Sequence, residues 1–226
     1  MVKPAPLSRS RQDYLKALQQ LGSGKPVAVS ALARQLGVSA PSVTNMLAHL
    51  AAERLVTLHH RGAARLSVQG EREALQILRR HRILETFLAR VLGLDWSEVH
   101  EDAEVLEHHV SERVLEALDR FMDHPTEDPH GHPIPDRRGR LPRRALEHIH
   151  ELREGARAVV REIGDHDRAR MTRWKRAGLV PGAELVLRAA NREDDVFEIE
   201  VAGRRLVSGS EGLQGVLVER VARRTT

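Results

Sequence analysis

The chain has 226 residues, with 36 lysines and arginines against 32 aspartates and glutamates, and it has no cysteine. This length predicts two or three small modules. The lack of cysteine excludes disulfides, thiolate metal sites and thiol nucleophiles, so any bound metal needs nitrogen and oxygen ligands. No apolar run approaches the roughly 18 residues of a membrane span and no signal peptide is recognisable, so we expect a cytoplasmic protein with no membrane partner.

The N-terminal third has the pattern of a winged helix-turn-helix. Apolar spacing predicts a helix over Ser8–Leu21, a short helix over Val29–Leu36 and, after a glycine turn, a second helix from Ser39 to about Glu53. Two short strands, Val56–His59 and Ala64–Val68, then predict a β-ribbon. In this arrangement the second helix of the pair lies in the major groove of DNA.

Base contacts are expected at the N-terminal end of this second helix, because Val43, Leu47 and Leu50 face inward. Asn45 can pair with adenine, and Pro41 can contact a thymine methyl group. Neighbouring hydroxyls and a ribbon arginine suit phosphate contacts. The predicted DNA-binding residues are Ser39, Pro41, Ser42, Thr44, Asn45 and Arg61. The alternative is a helical hairpin whose polar side chains only contact water.

The rest of the chain predicts two further modules. Long helices over Gly70–Leu92 and Ser97–Met122 provide a candidate dimerisation surface, and a proline-rich linker follows from Asp123 to Pro142. One more helix is predicted over Leu146–Ala158, and the short β-like runs beyond it predict a small β-barrel of about sixty residues. The predicted fold is mainly α with small β parts. Its domains are residues 1–70 (winged helix-turn-helix), 71–142 (helical dimerisation and metal binding) and 143–226 (linker helix and β-barrel).

Histidines and carboxylates recur at helical spacing in the middle of the chain. At about 100° per residue, four of them fall within an arc of roughly 100° on one predicted helix: His100, Glu104, Glu107 and His108. His81 and Glu85 share a face of the preceding helix. Either face alone is typical of a solvated helix, but two complementary faces indicate a metal cluster. Imidazole and carboxylate donors suit Mn, Fe(II), Co or Zn.

These residues together resemble the diphtheria-toxin-repressor family of metal-dependent regulators, and more closely its manganese-responsive members. The matching segments are Gln12–Leu15, Ser39–Leu50, Arg80–Glu85, Val99–Glu104, Glu107–Ser111 and Pro129–Pro135. Ala177–Ala183 resembles the SH3-like (FeoA-like) third domain of many members. The resemblance implies a homodimeric repressor that binds double-stranded operator DNA when metal is bound and controls genes of metal-ion uptake and homeostasis.

The resemblance also implies two metal sites in each subunit. Matched position by position, the primary site consists of Asp13, Glu104, Glu107 and His108. The ancillary site consists of His81, Glu85 and His100, with Glu162 and Asp165 as ligands lent by the third domain. Iron-responsive relatives have a methionine and a cysteine at the positions of Asp13 and Glu104, so the harder ligands of this chain imply Mn²⁺, with Fe²⁺ as the alternative.

Two features leave the metal and the function open to alternatives. Compact manganese sensors of the family carry an acid at the position of Lys16 and lack the match to His100, so this chain combines features of two subgroups. A metalloenzyme would use the same histidines and glutamates around an open coordination position. A DNA-binding architectural protein would hold a purely structural metal. The winged-helix pattern favours a regulator that is not an enzyme.

Overall fold

The computed structural model describes residues 7–22, 24–142, 144–164 and 167–221. The chain divides into two compact units. The first comprises Met1–His81 with Pro135–Leu141, and the second comprises Arg82–Ile134 with Pro142–Thr226. Within the described ranges, no helix is long and apolar enough to cross a membrane.

The first unit has the element order of a winged helix-turn-helix, as predicted. Its elements are α1 (Arg9–Gly22), α2 (Val29–Leu36), α3 (Ala40–Ala52), β1 (Val56–Leu58), β2 (Ala64–Leu66) and the first part of α4 (Val68–Arg90). Strands β1 and β2 are antiparallel, with Thr57 opposite Arg65. Leu15, Leu32 and Leu50 are fully buried and form part of the core between the helices and the ribbon.

The turn between α2 and α3 follows from two residues. Gly37 ends α2 with φ 64°, a left-handed conformation that glycine adopts without a steric penalty. Ser39 then caps α3, because its side chain accepts a hydrogen bond from the backbone N–H of Ser42. Pro41 lies in the first turn, where its missing N–H costs nothing. The local sequence therefore fixes where α3 begins.

The second unit starts with the C-terminal part of α4 and two shorter helices, α5 (Val99–Leu106) and α6 (Glu112–Phe121). The prediction of one continuous helix over Ser97–Met122 is wrong. The side chain of Ser111 accepts a hydrogen bond from the N–H of Val114 and caps a new helix. Glu107 and His108 therefore lie in the turn after α5.

The C-terminal part of the second unit is a six-stranded antiparallel sheet with strand order β3-β8-β4-β5-β6-β7. The elements are β3 (Glu147–His148), β4 (Arg157–Ile163), α7 (Arg168–Ala177), β5 (Glu184–Asn191), β6 (Val196–Val201), β7 (Arg204–Ser208), α8 (Ser210–Leu213) and β8 (Val216–Arg220). The predicted small β-barrel is thus, in the described residues, a sheet that ends at β3 and β7. Its core includes Val160, Leu187 and Ile199, all fully buried.

Two local predictions in this part are wrong. Leu146–Ala158 does not form a helix: it contains β3, a short 3-10 turn and the start of β4. Ile149 and Leu152 are buried from this irregular segment, so their spacing of three does not require an α-helix. Conversely, α7 was not predicted, because only Met171 and Trp174 of its ten residues are buried hydrophobics. A helix with so small an apolar face gives a weak periodic signal.

Candidate metal centre and DNA-contacting surface

The predicted DNA-contacting side chains lie on the surface of the first unit. The exposed set comprises Ser39, Pro41, Ser42, Thr44, Asn45 and Arg61. Val43, Leu47 and Leu50 on the opposite face of α3 are buried, as the spacing predicted. Arg61 lies between the two ribbon strands with φ 57°, a conformation that places it at the turn of the wing. The surface has the exposure that contact with DNA requires.

Hydrogen bonds within α3 distinguish these polar side chains. The hydroxyls of Ser39 and Ser42 lie 2.8 Å apart, and the hydroxyl of Thr44 donates to the carbonyl oxygen of Ala40 at 3.0 Å. These groups stabilise the first turn of the helix as well as facing solvent. Asn45 is exposed one turn further along, and its amide offers both a donor and an acceptor. Asn45 is therefore the strongest candidate for reading a base.

Three of the four predicted primary-site residues lie together in the second unit. Glu104, Glu107 and His108 offer ligand atoms that all lie within 4.8 Å of one another. Nε2 of His108 is 3.6 Å from Oε1 of Glu107, whose side chain is fully buried. The predicted proximity is found, although Glu107 and His108 follow the end of α5 and do not continue its face. Asp13 belongs to α1 of the first unit, and its place in this site stays a prediction.

The ancillary candidates of the second unit are also neighbours. Nδ1 of His100 is 3.1 Å from Oε1 of Glu85, and its Nε2 is 3.5 Å from Oε1 of Glu104. Glu104 is therefore close both to His100 and to the primary candidates. Glu85 is fully buried on α4. His81 is buried as well but belongs to the first unit, so its role as a ligand stays a prediction.

A third cluster lies in the segment that the sequence analysis treated as a linker. Asp128, His130 and His132 offer ligand atoms within 4.8 Å of one another. Nδ1 of His130 is 3.7 Å from Oε2 of Glu85 and 3.9 Å from Oδ1 of Asp128, while Nδ1 of His132 is 3.2 Å from Oδ2 of Asp128. The alternating Asp-Pro-His-Gly-His sequence was the available signal. This cluster is continuous with the ancillary candidates through Glu85.

The orientation of the His130 ring is set by a backbone carbonyl. Nε2 of His130 lies 2.8 Å from the carbonyl oxygen of Trp96. Because a carbonyl oxygen only accepts, Nε2 carries the proton of the neutral ring and Nδ1 presents its lone pair toward Glu85 and Asp128. A ring N–H bonded to a backbone carbonyl is the usual support of a histidine that binds metal through its other nitrogen.

Glu162 lies on β4 beside this cluster. Burial raises the pKa of Glu162, and the nearby His132 and Arg144 act in the opposite direction. Nη1 of Arg144 is 3.9 Å from Oε1 of Glu162. The position is compatible with the predicted role of Glu162 as a ligand lent by the third domain. Asp165, the other residue predicted for that role, lies outside the described residues.

The donor set of the second unit fits a divalent cation. Glu85 and Glu107 are fully buried and Asp128 is nearly so. Burying several carboxylates in one region is costly unless cations or hydrogen bonds balance their charge. The neighbouring imidazoles and carboxylates supply nitrogen and oxygen donors, with no sulfur, which suits Mn, Fe(II), Co and Zn. The residues present are therefore those of a metal centre for hard to borderline ions.

Three family models together match most of the chain. Residues 6–64 match the iron-dependent repressor N-terminal DNA-binding domain, and residues 67–136 match the iron-dependent repressor metal-binding and dimerisation domain. Residues 148–220 match the FeoA domain. The DNA-binding and dimerisation domains indicate that the partners of this chain are DNA and a second copy of itself.

Curated relatives and solved structures agree with these matches. The chain is 32% identical over 171 residues to the iron-dependent repressor IdeR of Mycobacterium leprae (strain TN), which covers 69% of this chain and 73% of the relative. It is 30% identical over 159 residues to the diphtheria toxin repressor of Corynebacterium efficiens, covering 70% of this chain and 67% of the relative.

Similar solved structures include regulators of both metals. A manganese-dependent transcriptional repressor in complex with manganese is 35% identical, covers 93% of this chain and 100% of that one, and gives a TM-score of 0.87. The IdeR of T. acidophilum is 27% identical, with 97% and 100% coverage and a TM-score of 0.79. These relatives are transcriptional repressors and not enzymes. The chain belongs to the diphtheria-toxin-repressor family of metal-dependent, DNA-binding transcriptional repressors.

Proposed function

We propose that this repressor responds to manganese and controls genes of metal-ion uptake and homeostasis. The observation that carries the proposal is the hard ligand set of the second unit, in which Glu104 lies with Glu107 and His108. Manganese binds weakly compared with its competitors, so a manganese sensor needs oxygen-rich ligands. The similarity to a manganese-dependent repressor bound to manganese supports the same choice.

The proposed primary site consists of Asp13, Glu104, Glu107 and His108. A divalent ion supplies positive charge that offsets the repulsion between these carboxylates. Glu107 is fully buried, so its charge is poorly screened by water and favours a nearby cation. Asp13 is a ligand from the DNA-binding unit, as the family resemblance implies. The ion would thereby favour the arrangement of the chain that binds operator DNA.

The proposed ancillary site includes more residues than the sequence predicted. His81, Glu85, His100 and Glu162 come from the family resemblance. The structure adds Asp128 and His130, because Glu85 lies between His100 and His130 at 3.1 and 3.7 Å. We propose that these residues hold a second ion in each subunit, which stabilises the same region of the second unit without contacting the primary ligands directly.

A second copy of the chain is the proposed partner of α5 and α6. These helices leave apolar side chains exposed, with exposed fractions of 55% for Val105, 44% for Val114 and 71% for Phe121. Exposed apolar patches of this kind are typical of protein interfaces. A two-fold dimer would place two copies of α3 about 34 Å apart, one turn of DNA. Ser39, Pro41, Ser42, Thr44, Asn45 and Arg61 are the residues proposed to contact that DNA.

An iron-responsive repressor is the second candidate, because the curated relatives include IdeR. The test is operator binding, by fluorescence anisotropy under anaerobic conditions, against free Mn²⁺ and Fe²⁺. The operator is a duplex selected from a random pool by the manganese-loaded protein. We expect Mn²⁺ to activate the wild type, and Glu104→Cys to shift the preference toward Fe²⁺, Co²⁺ and Zn²⁺ by about tenfold or more, since a thiolate favours those ions.

The matched control is Glu101→Cys, which places a cysteine on the exposed face of the same helix. It should leave the metal preference unchanged. Activation of the wild type by Fe²⁺ alone would overturn the manganese proposal and establish the iron-responsive candidate. An unchanged preference in Glu104→Cys would show that Glu104 is not a ligand.

A further inference from the structure

The loop between α4 and α5 joins the metal centre to the FeoA-like sheet. Oδ2 of Asp95 accepts a hydrogen bond from Nζ of Lys175, in the last turn of α7, at 2.6 Å. Its Oδ1 accepts from the N–H and the hydroxyl of Ser97 at 3.0 and 2.8 Å. Arg168, in the first turn of α7, pairs with Glu98. Helix α7 is thus bound by charge to the residues that lead into α5.

Trp96 connects the same loop to both sides. Its side chain packs against the hydrophobic core of the sheet. Its carbonyl oxygen accepts the proton of His130 Nε2 at 2.8 Å, and its ring meets the ring of His130 edge to face at 5.6 Å. The ring that faces Glu85 is therefore oriented by a residue that is itself held in the core of another module.

The backbone of His130 is held by the sheet as well. Its carbonyl oxygen accepts from the N–H of Ile163, at the end of β4, at 3.0 Å. Gly131 follows with φ 88°, and a Cβ there would overlap the carbonyl oxygen of Arg161. Arg144 donates to the carbonyl oxygen of Gly131 at 3.0 Å. The close approach of the two backbones leaves His130 little freedom once the sheet is docked.

We propose that Asp95 and Trp96 are positioning residues of the metal centre. Through them the docked FeoA-like sheet fixes the ring of His130 and the start of α5, so that ion binding and docking strengthen each other. The inference rests on the proposed metal centre and adds a coupling to it. Such coupling is reciprocal: if docking raises the affinity for the ion, the ion must raise the stability of docking by the same factor.

The first test measures manganese binding by equilibrium dialysis, without DNA, for the full-length wild type and Lys175→Met. We expect Lys175→Met to weaken manganese binding about fivefold, at the low end of typical couplings. Lys175→Arg should restore it, because an arginine can also donate to Asp95. The matched control is Arg188→Met, which breaks an exposed pair with Glu200 on β5 and β6 of the same sheet and should change nothing.

The second test follows hydrogen exchange at the N–H of Ile163 in the wild type with and without Mn²⁺. We expect Mn²⁺ to slow this exchange about fivefold, and to slow it less in Lys175→Met. If the wild type binds Mn²⁺ but neither quantity responds, the inference fails while the proposed function stands. A wild type that binds no Mn²⁺ would overturn both.

Discussion

The DNA-contacting candidates of the first unit are exposed and come mostly from one short stretch, Ser39 to Asn45. The metal-binding candidates of the second unit are mostly buried or half-buried and come from α4, the turn after α5, the segment around His130 and β4. A surface that reads DNA must be accessible to a large ligand, so local sequence suffices to build it. A site for a small ion gains from burial, which strengthens charge interactions, and it links distant segments when it is occupied.

The largest expected effect separates the two functions. Glu104→Ala should abolish activation of operator binding by every divalent ion, because it removes a carboxylate close to both His100 and Glu107. The fold should survive, since the buried Ala103 beside it is unchanged. Operator binding against free Mn²⁺ measures this, with Glu101→Ala as the control. A Glu104→Ala protein that responds to Mn²⁺ like the wild type would mean that the primary site is misplaced. His81→Ala should weaken activation less.

The next effect concerns how tightly the buried region is packed. Gly131→Ala should lower the free energy of unfolding of the second unit by about 3 kcal/mol, from backbone strain at positive φ combined with overlap of its Cβ on the carbonyl oxygen of Arg161. Gly155→Ala is the matched control: φ is 76° and nothing lies within 4 Å of an added Cβ, so about 1 kcal/mol is expected. Equal losses in urea denaturation would contradict the close approach.

On the exposed surface, single substitutions should change specificity and affinity separately. Asn45→Ala should reduce the preference for operator over random DNA by about 1–3 kcal/mol, the value of one bidentate base contact. Arg61→Ala should weaken binding to all duplexes and lower the salt slope by about one unit. Anisotropy titrations at several salt concentrations distinguish the two. An unchanged operator-to-random ratio in Asn45→Ala would remove Asn45 from the reading surface.

The smallest effect is a pH dependence at the edge of the second unit. The hydrogen bond from Lys175 is the main cause that lowers the pKa of Asp95 to about 2 from 3.8. Ionised Asp95 therefore stabilises the folded state above about pH 4, and this contribution is lost as the pH falls toward 2. Both side chains are more than a third exposed, so Lys175→Met should cost only about 1 kcal/mol at pH 7.

The measurement is denaturant unfolding of metal-free protein at pH 7, 4 and 2.5. The difference between wild type and Lys175→Met should shrink as the pH falls, and Lys175→Arg should resemble the wild type. A difference that is independent of pH would show that Lys175 acts through packing and not through the charge of Asp95.

How much the sequence reveals follows the same division. Gly37 and Ser39 act within one turn of chain, so the reading helix and its exposed residues were predictable. Spacing also predicted that Glu104, Glu107 and His108 are close, although the cap at Ser111 ends the helix that the argument assumed. Asp128 and His130 were missed because ligands in irregular segments have no periodicity, and their partners are far away in the sequence.

The central claim is that metal controls specific DNA binding. Its most direct test measures the affinities of one sample of wild-type protein for operator and random duplexes, first with Mn²⁺, then after a chelator, then after Mn²⁺ is restored. We expect the operator preference to be present, lost and recovered, with the random duplex changing far less. Operator binding that persists unchanged in the chelator would contradict the account.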